Sequence, residues 1–114
     1  MDENEISKII IGAAIEVHRT LGPGLLESFY EACLVVELRS RGMMVEQQKE
    51  VKGVYKGIKF GTAYRVDLLV NNKVIIEVKS SEYVHPIYES QLLSYLRISD
   101  IKLGLLERIS EGIC

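Results

Sequence analysis

The spacing of apolar residues changes near Gly42, and this change restricts the chain to folds that combine helices with a sheet. Before Gly42, apolar residues recur at steps of three and four. This predicts a helix that ends near Leu21 and a second helix from about Leu25 to Ser40. After Gly42, apolar and polar residues alternate, as is typical of strands. We therefore expect an α/β fold.

The second part of the chain predicts three strands, a helix and a final strand. The predicted segments are Val45 to Tyr55, an extended run from Ile58 that is clearest over Tyr64 to Val70, Lys73 to Lys79, a helix from Pro86 to about Ile98, and a strand from Ile101 to Leu106. For the last segment a helix is the alternative. The short turn at Asn71-Asn72 makes its flanking strands antiparallel, so we expect a mixed central sheet flanked by helices, in a single domain over residues 1–114.

Composition and charge limit the function classes. The chain is 47% hydrophobic and 26% charged, which is ordinary for a globular domain. Its net charge of −2 gives no overall attraction for nucleic acid, so such binding would need a local basic patch or bound cations. Two cysteines, Cys33 and Cys114, do not form a disulfide framework. No apolar stretch approaches the roughly 18 residues of a membrane span, and the acidic N-terminus is unlike a signal peptide. We expect a cytoplasmic protein with no membrane partner.

The residues of chemical interest lie on two neighbouring strands. Alternation places Glu77 and Lys79 on one face of the strand that begins at Lys73. Asp67 lies within the preceding strand, where aspartate is normally depleted. Because the turn at Asn71-Asn72 makes these strands antiparallel neighbours, we expect Asp67 to lie opposite or nearly opposite Glu77.

Two carboxylates and one ammonium group in a single patch suit phosphodiester hydrolysis. Carboxylates held close together repel each other unless a proton or a cation lies between them. Oxygen ligands of this kind suit Mg²⁺ or Mn²⁺, which polarise a phosphoryl group and lower the pKa of bound water. Lys79 could stabilise the developing charge or position the attacking water. The alternative for Glu-x-Lys on a strand is a solvated edge without chemical function.

Three motifs carry a resemblance to a known superfamily. Asp67, followed after nine residues by Glu77-Val78-Lys79, resembles the D…ExK signature of the PD-(D/E)XK nuclease superfamily, although Val66 stands where a proline usually precedes the aspartate. Gln91-Leu92-Leu93-Ser94-Tyr95 resembles the QxxxY motif of the recombination-exonuclease branch. The segment from Gly24 to Tyr30 is similar to the GxxExxY signature of a small-protein family within this superfamily. The resemblance covers about residues 6 to 106.

The resemblance implies a restriction-endonuclease-like αβββαβ core and a metal-dependent nuclease (a hydrolase) acting on DNA or RNA. It implies that Glu27, Asp67 and Glu77 bind Mg²⁺ or Mn²⁺. The implied catalytic set is Glu27, Asp67, Glu77, Lys79, Gln91 and Tyr95. Taken without the resemblance, Glu27 is an ordinary exposed helical glutamate, and Gln91 and Tyr95 belong to a helix face that packs on the sheet.

Two other classes of function stay open at this point. One is a catalytically silent nuclease-like fold that binds nucleic acid or a protein partner without cutting, and the other is a structural oligomerisation module. Members of the family usually continue past the last strand, whereas little sequence follows Leu106 here. This difference favours a homodimer or a protein partner that covers an exposed sheet edge.

Overall fold

The structure is a computed structural model that describes residues 1–22, 26–79, 86–99, 101 and 103–108, apart from the side chains of residues 99 and 106–108. Its elements are α1 (Glu3–Leu21), α2 (Glu27–Ser40), β1 (Val45–Tyr55), β2 (Ile58–Val70), β3 (Val74–Lys79), α3 (Pro86–Ser99) and β4 (Leu103–Arg108). The predicted order of helices and strands is confirmed. The final apolar run is a strand rather than a helix.

The first helix is fixed at both ends by its sequence. At its start, the Asp2 carboxylate accepts a hydrogen bond of 2.8 Å from the Glu5 backbone N–H, and the Glu5 carboxylate accepts one of 3.2 Å from the Asp2 backbone N–H. It ends at Leu21 because Gly22 has a φ of 77°, a conformation that glycine adopts without steric cost. Leu25, the predicted start of the second helix, lies outside the described residues, and α2 begins at Glu27.

The four strands form one mixed sheet in the order β1-β2-β3-β4, as expected. Both β1 with β2 and β2 with β3 are antiparallel, whereas β3 and β4 are parallel and are connected through α3. The turn between β2 and β3 has left-handed backbone at both Asn71 (φ 50°) and Asn72 (φ 56°), which matches the right-handed twist of a hairpin. The fold is therefore an α/β domain of the expected restriction-endonuclease-like type.

Each face of the sheet carries its own core cluster. The larger cluster lies between the sheet and α1 and α2, and the smaller one lies between the sheet and α3. In β3, Val74, Ile76 and Val78 belong to the larger cluster and Ile75 to the smaller one. The alternation of strand side chains therefore directs Glu77 to the α3 face.

The alternation of side chains between the two faces of the sheet is interrupted at the same level in the adjacent strands β1 and β2. In β2, Val66 belongs to the α3-side cluster but Leu68, two residues later, belongs to the opposite cluster, which regular alternation forbids. The ladder pairs Lys49 with Val66 and Gln47 with Leu68, and the residues between them, Gln48 and Asp67, are not a ladder pair. Gln48 has a φ of 50°. This change of face, which the sequence pattern did not predict, is where Asp67 lies.

No helix among the described residues is long and apolar enough to pass through a membrane.

The β2–β3 turn gives a test of what sets the register of the candidate site. Asn72 is exposed and left-handed, so we expect Asn72→Ala to lower the free energy of unfolding by about 1 kcal/mol, because a Cβ without a polar side chain disfavours this conformation. Asn72→Gly should be neutral or stabilising. Urea denaturation of the three proteins measures both effects. An equal loss in both variants would show that the Asn72 side chain, and not its backbone conformation, supports the turn.

Candidate active site

The structure brings the Asp67 and Glu77 carboxyl groups together, as the strand pairing predicts. The last ladder pair between β2 and β3 is Leu68 with Ile76, so Asp67 and Glu77 are the next residues along the two strands. Their side chains interact closely enough for the Asp67 carboxylate to change the proton affinity of Glu77. Glu77 is only 6% exposed and Asp67 is half-buried, so the two acidic groups meet in a site largely removed from water.

Asp67 is held by two hydrogen bonds from different strands. Its Oδ2 accepts a bond of 2.8 Å from the Val78 backbone N–H, and its Oδ1 accepts one of 3.3 Å from Nε2 of Gln48. The Val78 donor lies just beyond the last ladder pair of β2 and β3, so the carboxylate binds a backbone group that the ladder does not use. Asp67 thereby has a fixed orientation relative to Glu77.

A second buried acidic residue, Glu31, is connected to Asp67 through Gln48, and the sequence analysis did not identify it. Glu31 on α2 is 9% exposed and accepts hydrogen bonds from Nε2 of Gln48 at 3.1 and 3.3 Å. It also accepts one of 3.3 Å from Nε2 of Gln47. The Gln48 amide therefore joins Glu31 to Asp67. The available signal was the spacing of Glu31 four residues after Glu27, which places both on one face of the helix.

The electrostatics of Glu77 distinguish it from an ordinary glutamate. Burial, the Asp67 charge and the hydrogen bond between the two carboxyl groups together raise the pKa of Glu77 to about 8. Its Oε1 is buried and has no hydrogen-bond partner among the described residues. At neutral pH and without a cation, Glu77 is therefore predominantly protonated, while one oxygen remains available to a ligand.

Lys79 lies on the same strand face and is held by an aromatic ring. Its positive charge lowers the pKa of Glu77, in opposition to the effects that raise it. The Lys79 ammonium group lies 4.8 Å from the centroid of the Tyr88 ring, on the first turn of α3. Sequence reasoning did not single out Tyr88, because a tyrosine in a helix gives no indication of the lysine it contacts.

Tyr95 is next to the acidic pair, packed against a tyrosine that the sequence reasoning also missed. The rings of Tyr95 and Tyr64 are stacked, with centroids 4.0 Å apart and planes inclined by 7°. The Tyr64 hydroxyl donates a hydrogen bond of 2.7 Å to the Tyr95 backbone carbonyl. Burial and the charge of Glu77 both raise the pKa of Tyr95, so the phenol lies within electrostatic reach of the acidic pair.

The remaining predicted residues lie on exposed or structural positions. Glu27 is exposed at the first position of α2, and Gln91 is exposed on α3 one turn before Tyr95. Tyr30 is fully buried and packs edge-on against His18, so in this fold it contributes to the core. Gly24 lies outside the described residues.

Among the described residues, the structure brings two of the three predicted acidic metal ligands together, Asp67 and Glu77. Within the described ranges, no group of three or more His, Cys, Asp or Glu side chains is placed to hold a metal ion. The donor set of Asp67 and Glu77 nevertheless fits Mg²⁺ or Mn²⁺, because these ions bind through one or two carboxylates and keep several waters. Within the described part of the chain, Oε1 of Glu77 lacks a hydrogen-bond partner. A divalent cation would give it one and would relieve the repulsion between the two carboxyl groups.

The raised pKa of Glu77 predicts how stability depends on pH. Because this pKa is about 8 in the folded chain and 4.5 ordinarily, the folded state keeps a proton that the unfolded chain has lost between those values. The free energy of unfolding should therefore fall as pH rises through this window when EDTA removes divalent ions. Thermal unfolding at pH 5, 6.5 and 8 measures this. Glu77→Gln should remove most of the decline, whereas Glu16→Gln, which changes a partly exposed carboxylate that pairs with Arg19 on α1, should retain it. A decline unchanged in Glu77→Gln would contradict the assignment.

The whole chain can be compared with known proteins on this basis. No curated protein and no solved structure matches it. The family model of the PD-(D/E)XK nuclease superfamily matches residues 4–110, which includes both strands of the acidic pair and all three helices apart from the first residue of α1. With Asp67 and Glu77 adjacent and Lys79 beside them, the chain belongs to the PD-(D/E)XK nuclease superfamily.

Proposed function

We propose that this protein is a metal-dependent phosphodiesterase that cleaves DNA or RNA. The observation that supports this best is the acidic pair, in which a buried Glu77 lies opposite Asp67 with Lys79 alongside. A carboxyl pair of this kind is unfavourable in a purely structural role, since it keeps a buried proton and an unsatisfied oxygen. Because the chain belongs to a nuclease superfamily, metal-dependent cleavage of a phosphodiester is a function that such a pair would serve.

The chemistry assigns different tasks to the residues of the site. Asp67 and Glu77 would hold Mg²⁺ or Mn²⁺, with Glu27 as the third acidic ligand. The ion would polarise the phosphoryl group and lower the pKa of bound water. The hydrogen bonds from Val78 and Gln48 fix the Asp67 carboxylate before substrate arrives, which reduces reorganisation during the reaction.

Three further side chains complete the proposed catalytic set. Lys79, held near the Tyr88 ring, would place a positive charge at the phosphoryl oxygens, where charge develops in the transition state. The exposed Gln91 amide would contact the phosphate or the attacking water, and the Tyr95 phenol would contribute a hydrogen bond from the same face of α3.

We also propose that the chain belongs to the GxxExxY family within the superfamily and acts in the cytoplasm. The support for the family is the sequence Gly24-Leu25-Leu26-Glu27-Ser28-Phe29-Tyr30. Glu27 and Tyr30 of this motif lie in the first turn of α2, with Glu27 exposed and Tyr30 in the core. The motif therefore combines one residue directed to solvent with one that anchors the helix.

A second candidate function is a nuclease-like fold that binds nucleic acid or protein without cutting it. One observation favours it: in the part of the chain that the structure describes, no three His, Cys, Asp or Glu side chains are placed together so that they could hold a metal ion. In this case a protein partner or a second copy of the chain would pair with an edge strand, and β4 lies at one edge of the described sheet.

Cleavage assays with matched variants distinguish the two functions. With Mg²⁺ or Mn²⁺, we expect the wild type to cut labelled single-stranded or double-stranded DNA or RNA, and Asp67→Asn and Glu77→Gln each to reduce the rate by about 100-fold or more. Glu16→Gln, which changes a partly exposed carboxylate on α1, should cut at the wild-type rate. Equal cutting by all four proteins would exclude the assigned site. An inactive wild type that still binds Mn²⁺ would support the second function.

The third metal ligand can be identified by comparing two acids on one helix. We expect Glu27→Gln to weaken Mn²⁺ binding by more than about 10-fold, because it removes a ligand, and Glu31→Gln to have a smaller effect through Gln48. Isothermal titration calorimetry measures both dissociation constants. The reverse order would assign the third acidic role to Glu31.

A further inference from the structure

The β1–β2 hairpin continues well beyond the rest of the sheet. The two strands pair with each other from Val51 and Tyr64 to Tyr55 and Ile58, whereas β3 pairs with β2 only over residues 68–70. We call residues 51–64 the hairpin arm. In the part of the sheet that the structure describes, the arm is a ribbon of two strands, and its outer residues have little opportunity to become buried.

The arm exposes several large apolar side chains to solvent, which is unusual for a monomeric protein. Its exposed apolar residues are Val54 (59%), Tyr55 (65%), Ile58 (60%) and Phe60 (59%). Three of them lie on one face of the ribbon, because Tyr55 pairs with Ile58 and Phe60 follows Ile58 by two residues. Single exposed apolar residues are common, but such a group marks a binding surface. Two of the four, Tyr55 and Phe60, are aromatic and more than half exposed, and aromatic rings suit stacking on a flat ligand.

The charge of the arm is opposite to that of the chain as a whole. The chain has 14 basic and 16 acidic residues; the arm contains three of the basic residues and none of the acidic ones. The three are Lys52, Lys56 and Lys59, all exposed. Lys52 lies 3.9 Å from Glu50, while Lys56 lies 5.4 Å from the Tyr55 ring centroid. A positive ribbon on an acidic protein is complementary to a polyanion.

Three of these four residues, Val54, Tyr55 and Phe60, border a shallow concavity of about 330 Å³. Tyr55 and Phe60 form part of its wall, together with Ile98 from α3. Gly53 and Gly61 also line it, and a Cβ at Gly61 would meet no atom within 4 Å, so the surface is open at that point. The concavity is therefore a shallow, largely apolar surface with aromatic residues in its wall.

This surface is joined to the candidate active site through α3. Ile98 borders the concavity, and Tyr95, one turn earlier on α3, stacks on Tyr64 at the base of the arm. Along β2, Phe60 is seven residues from Asp67, which corresponds to about 23 Å of extended strand. A flexible polymer bound at Asp67 could therefore reach the arm.

We propose that the hairpin arm binds single-stranded polynucleotide, with bases stacked on Tyr55 and Phe60 and phosphates near Lys56 and Lys59. This inference rests on the proposed function, because it places the arm on the path of the substrate. Bases of a single strand expose their faces for stacking, whereas those of a duplex do not. DNA and RNA share this chemistry. Association of two arms is disfavoured, since it would bring six lysines together.

The experiment measures binding separately from cleavage. Fluorescence anisotropy follows the binding of labelled 20-nucleotide oligo-dT and oligo-U, and of a 20-base-pair duplex, to the Asp67→Asn protein in EDTA. In that background we expect Phe60→Leu to weaken single-strand binding about 5- to 150-fold and Phe60→Trp to retain it. Leucine keeps the apolar character but has no aromatic face. Ile15→Ala, at an exposed apolar position on α1, is the control and should have no effect.

Salt dependence tests the lysines. Replacing both Lys56 and Lys59 by glutamine should lower the slope of log K against log salt concentration by about 1.4, since each single-strand phosphate contact contributes about 0.7. Lys8→Gln, at an exposed position on α1, should leave the slope unchanged. Comparing oligo-U with oligo-dU, which differ only at the 2′ position, would identify the sugar that the arm prefers.

Three outcomes would overturn the inference. They are equal binding by Phe60→Leu and the parent, tighter binding of the duplex than of the single strands, and a concentration-dependent dimer that Phe60→Leu disrupts. The last would show that the arm binds a second copy of the chain. If the wild type cleaves the substrate, and the arm variants bind and cleave it as well as the wild type, only this inference fails and the proposed function stands. If the wild type binds through the arm but never cuts, only the proposed cleavage fails.

Discussion

The placement of a charged side chain inside a sheet is the constraint on which this structure depends. Asp67 accepts a hydrogen bond from the Val78 backbone N–H, and this bond connects β2 and β3 just where their ladder ends. A half-buried carboxylate needs such donors, because burial without them is strongly unfavourable. The second donor is the side chain of Gln48 on β1. For this side chain to reach Asp67, the alternation of β1 must be interrupted beside Asp67, and the left-handed backbone of Gln48 makes that interruption. The local geometry of three strands thus follows from satisfying one carboxylate.

The sequence pattern predicted the parts of this arrangement that depend on periodicity and turns. Two left-handed asparagines set the β2–β3 register, and that register alone places Asp67 opposite Glu77. The bounds of β1 were predicted correctly for the same reason, since alternation and a glycine turn at its end are local signals. Local patterns therefore gave the element order and the centre of the site.

The partners of these residues could not be predicted, because they depend on tertiary contacts. A left-handed residue within a strand has no reliable sequence signature when it is a glutamine, so the role of Gln48 and its bond to Glu31 were missed. The stacking of Tyr64 on Tyr95 likewise joins residues 31 positions apart. The same holds for the two glutamates of α2. Their spacing predicts that Glu27 and Glu31 lie on one face of the helix, but it does not predict that Glu27 is exposed and Glu31 is buried.

The acidic pair creates an electrostatic difficulty for any nucleic acid substrate, and the distribution of charge over the chain addresses it. A phosphate approaching Asp67 and Glu77 is repelled unless a cation or a proton neutralises them. Burial raises the pKa of Glu77 most, and the charge of Asp67 adds to that effect, so both favour a neutralised site. The net charge of −2 adds to the repulsion. Lys79 opposes this repulsion within the site, and the lysines of the hairpin arm oppose it along the path of a bound strand. The lysines of the arm would therefore attract the polynucleotide first, and a metal ion bound by the two carboxyl groups would then neutralise the site. In this way an acidic protein could still hold a polyanion next to its acidic pair.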